Sequence, residues 1–374
     1  MTARALVLEN ARTLVPADFP LPEIGTDDGL LRVEACGLCG TDHELYTGHL
    51  PGPHPFVPGH ETIGIIEQIG PGAAARWGVS AGDRVAVEVF LSCRECEACS
   101  RGEYRRCERH GLGDMYGNVR TDTAPALWGG YATHQYLAPD SMLLKVPDDL
   151  DPVLATVFNP LGAGFRWAVT VPETVKGDVV AVLGPGIRGL SCLAAAKEAG
   201  ASFAMVTGVA PNDAERLRRA ASFGADLAVD VSSTDPAAEL KRATGGLADV
   251  VVDVTAKAPA ALAQAISLVR PGGTIVMAGT RGSAETPGFW PDLIVYKEIR
   301  ILGALGVDTT AYRQALTLLE SGKYPFDELP RTTASLDSLE SLIQTMAGEG
   351  AEPPPVHGVL VPELSDRTND RRHS

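Results

Sequence analysis

The sequence predicts an α/β chain with an irregular, mostly-β domain and a doubly wound parallel sheet of six strands. Three observations carry this. Six short apolar runs follow one another between Val179 and Ala304, helix-like stretches fill the first four intervals between them, and residues 1–155 show alternating runs broken by Gly and Pro. A length of 374 residues is long for one core and suggests about two domains.

In chain order, Met1–Asn10 reads as a strand and lacks the charged-then-apolar layout of a secretory signal. Leu31–Ala35 and Gly82–Val87 alternate as half-buried strands do. The texture changes near Val175. Val179–Leu183, Phe203–Thr207, Leu227–Asp230, Val250–Val254, Thr274–Ala278 and Arg300–Ala304 are apolar enough to be buried on both faces. With helical patterns such as Leu190–Ala199 and Asp213–Phe223 between them, they predict a parallel sheet built from two mononucleotide-binding halves. After Gly306 come a helical segment, Thr310–Ser321, and a strand, Gly358–Val361, too small to fold alone and expected to return to the first domain. Residues beyond Leu364 read as a tail. The expected domains are 1–158, 159–306 and 307–374, with a cysteine-bearing lobe at about 90–110.

Composition narrows the function classes. At 45% hydrophobic and 21% charged residues the chain is not disordered. A net charge of −15 argues against nucleic acid or an anionic membrane as partner, since both need a basic face. No apolar run approaches the roughly 18 residues that span a bilayer. The seven cysteines then suit metal binding in a reducing compartment better than disulfides, and a cytoplasmic location is expected.

Gly184-Pro185-Gly186-Ile187-Arg188-Gly189 is a G-x-G-x-x-G that follows a strand and opens a helix. In that context the first Gly allows a tight turn, the second lets the backbone approach a pyrophosphate, and the third packs helix on strand. The helix N-terminus then offers free N–H groups to phosphates. An acid about 20 residues beyond such a motif takes the ribose 2′-hydroxyl of NAD. Here the second strand closes with Thr207-Gly208 and no acid follows until Asp213, with Arg216 nearby. NADP is expected over NAD on this spacing.

Cys93, Cys96, Cys99 and Cys107 lie within fifteen residues, among charged neighbours that suit an exposed loop. Four such ligands can close a tetrahedron around a structural Zn²⁺. Cys39-Gly40-Thr41-Asp42 follows a strand, and Pro58-Gly59-His60-Glu61 comes about twenty residues later. Cys and His suit zinc as well, and a catalytic zinc keeps one position open to polarise an alcohol or a carbonyl. His49, His54, His110, His134 and His357 show no spacing logic and are read as structural.

These motifs, with Gly129-Gly130-Tyr131-Ala132 between them, resemble the zinc-dependent medium-chain dehydrogenases from Ala3 to about Pro362. The resemblance implies a GroES-like catalytic domain interrupted by a Rossmann domain. It implies hydride transfer between NAD(P) and a small alcohol, polyol or sugar hydroxyl, or the matching carbonyl, in a homodimer or homotetramer. Carried over, Cys39 and His60 hold the catalytic zinc, Glu61 is a ligand or its neighbour, and Thr41 passes the substrate proton onward. Two positions depart from the pattern. Asn159 stands where Cys or Glu completes the zinc site, and either ligates or caps the following segment. Glu44, preceded by His43, stands where the relay base is usually His, as in the sugar dehydrogenase branch. A secondary-metabolite carbonyl reductase and a coenzyme binder without chemistry are the competing readings.

Overall fold

A computed structural model describes residues 1–256, 258–282, 284–349 and 354–364, so the expected tail beyond Leu364 lies outside the described residues. The chain divides into two compact units: residues 1–158 with the chain from Asp327 onward, and Asn159–Phe326.

The first unit opens with an antiparallel ribbon of β1 (Thr2–Asn10) and β2 (Thr13–Pro20). β3 (Gly29–Leu38) is the hub of the main sheet. It pairs antiparallel with β4 (Glu61–Ile69) and β6 (His134–Leu137), while β5 (Arg84–Val87) joins β4 to β7 (Leu143–Lys145). Leu31 and Val33 on β3 are fully buried, which the alternation of Leu31–Ala35 predicts, and Ile63 and Ile66 on β4 are buried as well.

The second unit holds β8 (Val179–Leu183), β9 (Phe203–Gly208), β10 (Leu227–Asp230), β11 (Ala248–Asp253), β12 (Val269–Met277) and β13 (Arg300–Gly303). All pair parallel in the order β10-β9-β8-β11-β12-β13. This is the doubly wound order 3-2-1-4-5-6, whose switch point falls between β8 and β11. β12 begins at Val269, earlier than its apolar run, because Arg270-Pro271-Gly272-Gly273 conceals the pairing of Val269 with Ala248.

The second unit runs past Gly306 to Phe326, beyond the expected boundary. The helix Thr309–Glu320, capped by Asp308, buries Ala311, Tyr312, Ala315 and Leu319 within this unit. Trp167 Nε1 donates to the Gly306 carbonyl (3.0 Å), and Phe326 stacks edge-on with Phe223 at 4.9 Å. A Cβ at Gly162 would come within 2.5 Å of the Tyr312 ring. These contacts hold the helix that the sequence assigned to the returning segment.

The chain then completes the first sheet with β14 (Arg331–Ala334) and β15 (His357–Leu360), which pair parallel with each other. β15 pairs with β3, Gly358 opposite Leu38 and Leu360 opposite Cys36. Among the described residues no helix is long and apolar enough to cross a membrane.

His357, read as structural, is buried on β15. Arg331 Nε donates to its Nδ1 (3.0 Å), and its Nε2 faces Thr156 Oγ1 (3.3 Å), whose own hydroxyl donates to the Val153 carbonyl. The network assigns a neutral imidazole protonated on Nε2. Burial, reinforced by the Arg331 charge, pushes its pKa down to about 3. The unfolded chain takes up this proton near pH 6.5. The stability from a neutral His357 is therefore complete above about pH 6.5 and lost as pH falls toward 3. At pH 5 the loss is about 2 kcal/mol. Urea unfolding at pH 7 and at pH 5 should show His357→Gln losing less stability on acidification than the parent. Equal losses would contradict the assignment.

Candidate active site

β3 delivers Cys39 and β4 receives His60, because the two strands pair Gly37 with Glu61 and Cys36 with Thr62. Cys39 is the N-cap of the helix Gly40–Thr47. Its sulfur accepts from the Thr41 N–H (3.2 Å), and Asp42 Oδ2 accepts from the Cys39 N–H (2.8 Å), a reciprocal capping box. Gly59 turns the chain into His60 at φ 92°, and a Cβ there would lie 2.5 Å from the Tyr131 ring, so only glycine fits.

The result is a compact donor set. Cys39 Sγ stands 3.3 Å from His60 Nε2, and Asp42 Oδ1 stands 3.8 Å from His60 Nδ1. Zinc bonds of about 2.3 Å to sulfur and 2.1 Å to nitrogen put tetrahedral S and N about 3.6 Å apart. Burial alone would lower the His60 pKa, but the Cys39 sulfur and the Asp42 carboxylate raise it to about 10. The site therefore calls for positive charge between sulfur and imidazole. Asp42 Oδ1 is buried without a hydrogen-bond partner, on the far side of the imidazole. A metal on Nε2 leaves the Nδ1 proton facing that carboxylate, the usual outer partner of a metal-bound histidine. These residues fit a zinc ion.

Glu61 is buried over Gly37, where its Oε2 would touch a Cβ at 2.5 Å, and it is not part of the donor cluster. The acid that joins Cys39 and His60 is Asp42, a residue with no predicted role, whose signal was its capping-box spacing from Cys39. Thr41 and Glu44 are three apart on the helix and share a face, whereas His43 does not. His43 Nε2 is engaged by Glu349 (2.8 Å), which also pairs with Arg12. Asn159 lies inside the helix Phe158–Phe165 and does not cap it; its Nδ2 donates to the Tyr312 hydroxyl (2.9 Å).

In the cysteine lobe, all four sulfurs lie within 4.8 Å of one another. Cys93 Sγ and Cys99 Sγ are 3.7 Å apart, too far for a disulfide and close to the roughly 3.8 Å edge of a ZnS₄ tetrahedron. The Cys96 N–H faces Cys93 Sγ and the Cys99 N–H faces Cys96 Sγ, both at 3.4 Å, orienting the sulfurs inward. The lobe fits a closed structural zinc.

In the second unit, β8 runs into Gly184 at φ 100° and Gly186 caps the helix Ile187–Glu198. A Cβ at Gly189 would stand 1.8 Å from the Gly184 carbonyl oxygen, whereas one at Gly186 would meet nothing within 4 Å. The third glycine is thus needed for packing, and the second leaves open space for a phosphate. Pro185 reaches toward β9, and Arg188 stands over the Trp167 ring at 5.5 Å. Asp253, which closes β11, is fully buried; it accepts from the Thr255 hydroxyl (2.6 Å) and pairs with Arg281. That pair ties the loops after β11 and β12, and breaking one partner of such a buried pair costs about 3–5 kcal/mol. The expectation that no acid stands beside Gly208 is corrected. Asp213 folds back so that its Oδ2 would lie 3.1 Å from a Cβ at Gly208, and its Oδ1 pairs with Arg216 (3.2 Å).

Residues 25–148 match the alcohol dehydrogenase GroES-like domain, and residues 189–321 match the zinc-binding dehydrogenase domain. Over 360 residues the chain is 68% identical to the probable alcohol dehydrogenase of Mycobacterium tuberculosis, covering 96% of this chain and 98% of that one. This chain belongs to the zinc-dependent medium-chain dehydrogenases. The dehydrogenase is also 31% identical over 329 residues to the erythritol/L-threitol dehydrogenase of Mycolicibacterium smegmatis, covering 84% and 87% of the two chains. A zinc-binding dehydrogenase of Sinorhizobium meliloti, solved with NADP bound, superposes with a TM-score of 0.81 at 27% identity over 97% of this chain and all of that one. The dehydrogenase is thus an oxidoreductase that transfers a hydride between NAD(P) and an alcohol or the matching carbonyl.

If the four-cysteine lobe holds zinc, the purified dehydrogenase should keep about one zinc per chain through mild chelation, since a closed site releases metal slowly. Stripping it should lower the Tm. Elemental analysis showing complete loss of zinc with an unchanged Tm would contradict the structural role.

Proposed function

We propose that this dehydrogenase oxidises small polyols and related alcohols, with Cys39 and His60 holding the catalytic zinc and Thr41 and Glu44 carrying the released proton. The 3.3 Å approach of Cys39 Sγ to His60 Nε2, with Asp42 behind the imidazole, carries the reading. The likeness to the erythritol/L-threitol dehydrogenase and Glu44 at the relay position support a polyol over a simple alcohol. The intact donor pair opposes a coenzyme binder without chemistry.

When bound, zinc lowers the pKa of a ligated hydroxyl and the nicotinamide ring accepts the hydride. The protein's residues do the rest. The capping box fixes Cys39 at the helix start, where its sulfur accepts from the Thr41 N–H. Asp42 orients His60. Oxidation also frees a proton, and the half-buried Thr41 hydroxyl can accept and donate in one step. Glu44, one turn along the same face, is the base that receives it. His43 is held by Glu349 instead and serves to anchor the helix. Gly208 by itself does not select NADP, because Asp213 fills the place that the missing side chain leaves.

Thr41→Val should lower kcat for oxidation at least about a hundredfold, the scale of a lost general acid–base step, while coenzyme affinity survives. Glu44→Gln should slow oxidation mainly at low pH and be partly rescued by a small external base; His43→Gln should do much less. The pH profile of kcat with a polyol such as erythritol tests all three. A Thr41→Val enzyme at full speed removes the relay.

A further inference from the structure

In a doubly wound sheet the residue closing the second strand faces the adenosine ribose, and a carboxylate there accepts the 2′-hydroxyl and repels a 2′-phosphate. β9 is that strand, and it closes with Gly208. The space beside Gly208 is nevertheless filled. A Cβ there would stand 2.9 Å from Pro185 Cγ of the glycine loop, 3.0 Å from Asp213 Cβ and 3.1 Å from Asp213 Oδ2. The Asp213 carboxylate therefore occupies the place where a side chain from the strand end would sit, against the loop that receives the pyrophosphate.

Asp213 is built into this position. It precedes the helix Ala214–Arg219 without capping it. Its Oδ2 accepts from the Val209 N–H (2.9 Å), turning the carboxylate back toward the strand. The intervening turn is held by the Asp213 N–H bonded to the Val209 carbonyl (3.1 Å) and by Asp230 of β10 accepting from the Ala210 N–H (3.1 Å). Arg216 pairs with Oδ1 at 3.2 Å. A carboxylate offers about four acceptor positions, and these two bonds leave about two for ribose hydroxyls.

We infer that Asp213, brought in from the following loop, is the ribose-reading carboxylate of this dehydrogenase, that Arg216 is its counter-ion, and that the pair makes NAD the preferred coenzyme. The inference rests on the NAD(P)-dependent reading above. A 2′-phosphate would have to face the carboxylate and take Arg216 from it. Neutralising Asp213 removes the repulsion and frees Arg216, a guanidinium suited to phosphate.

The test is fluorescence titration of the zinc-loaded protein with NADH and with NADPH, read as Kd without any substrate. Asp213→Asn keeps an acceptor for the Val209 N–H and removes only the charge. The parent should bind NADH at least about tenfold tighter than NADPH, and Asp213→Asn should shift that ratio toward NADPH by about tenfold or more, the scale of one charged hydrogen bond. Asp213→Glu should stay on the NADH side. Adding Arg216→Gln to Asp213→Asn should cancel the gain in NADPH affinity. A parent that prefers NADPH, or a ratio within about twofold of the parent's in Asp213→Asn, overturns the role of Asp213. A parent that binds neither coenzyme overturns the dinucleotide reading, and this inference with it.

Discussion

The pairing of β3 with β4 is the constraint from which the reactive centre follows. Opposing Gly37 to Glu61 sets the register, and two residues beyond Gly37 the chain must present Cys39 beside His60. A one-residue slip would turn the side chains of β4 to the other face and carry His60 away from Cys39, so the register also fixes the donor set. Glycine makes the approach possible: Gly37 admits the Glu61 side chain and Gly59 admits the Tyr131 ring. The helix after β3 then converts the cysteine into a cap, so that one sulfur both starts a helix and points at an imidazole. β15 closes over the other edge of β3, which ties the far end of the chain to this strand.

The second unit solves a separate problem with the same economy. A parallel sheet leaves its strand ends and helix starts at one edge, and the switch between β8 and β11 opens a crevice there. Close packing decides which glycines of the loop are replaceable. Gly189 is locked by the Gly184 carbonyl, while Gly186 faces open space. The buried Asp253–Arg281 pair ties the end of β11 to the loop after β12.

Much of this was legible in the sequence because it is periodic or local. Five of the six strands of the second unit stand within two residues of their apolar runs, β12 begins five residues early, and Cys93, Cys96, Cys99 and Cys107 converge as their spacing implies. What escaped was set by loops and by contacts distant in sequence. Asp42 lay hidden in a motif read for Cys39 and Thr41, although capping geometry makes it the partner of His60. Asp213 was discounted because spacing counts residues along the chain, whereas a turn returned its carboxylate to Gly208. The helix Thr309–Glu320 was assigned to the wrong unit because amphipathicity shows that a face is buried, not against what. Spacing alone did not choose between His43 and Glu44, and only the resemblance favoured Glu44; in the structure Glu44 shares a helix face with Thr41, and His43 is engaged by Glu349.

Whether Cys39 and His60 together hold a metal is read by anomalous diffraction at the zinc edge, from crystals of the protein as purified. A peak is expected about 2.3 Å from Cys39 Sγ and about 2.1 Å from His60 Nε2, besides a peak among the four cysteines. A peak at the four cysteines alone, with Cys39 and His60 in direct contact and fully ordered, would contradict that expectation.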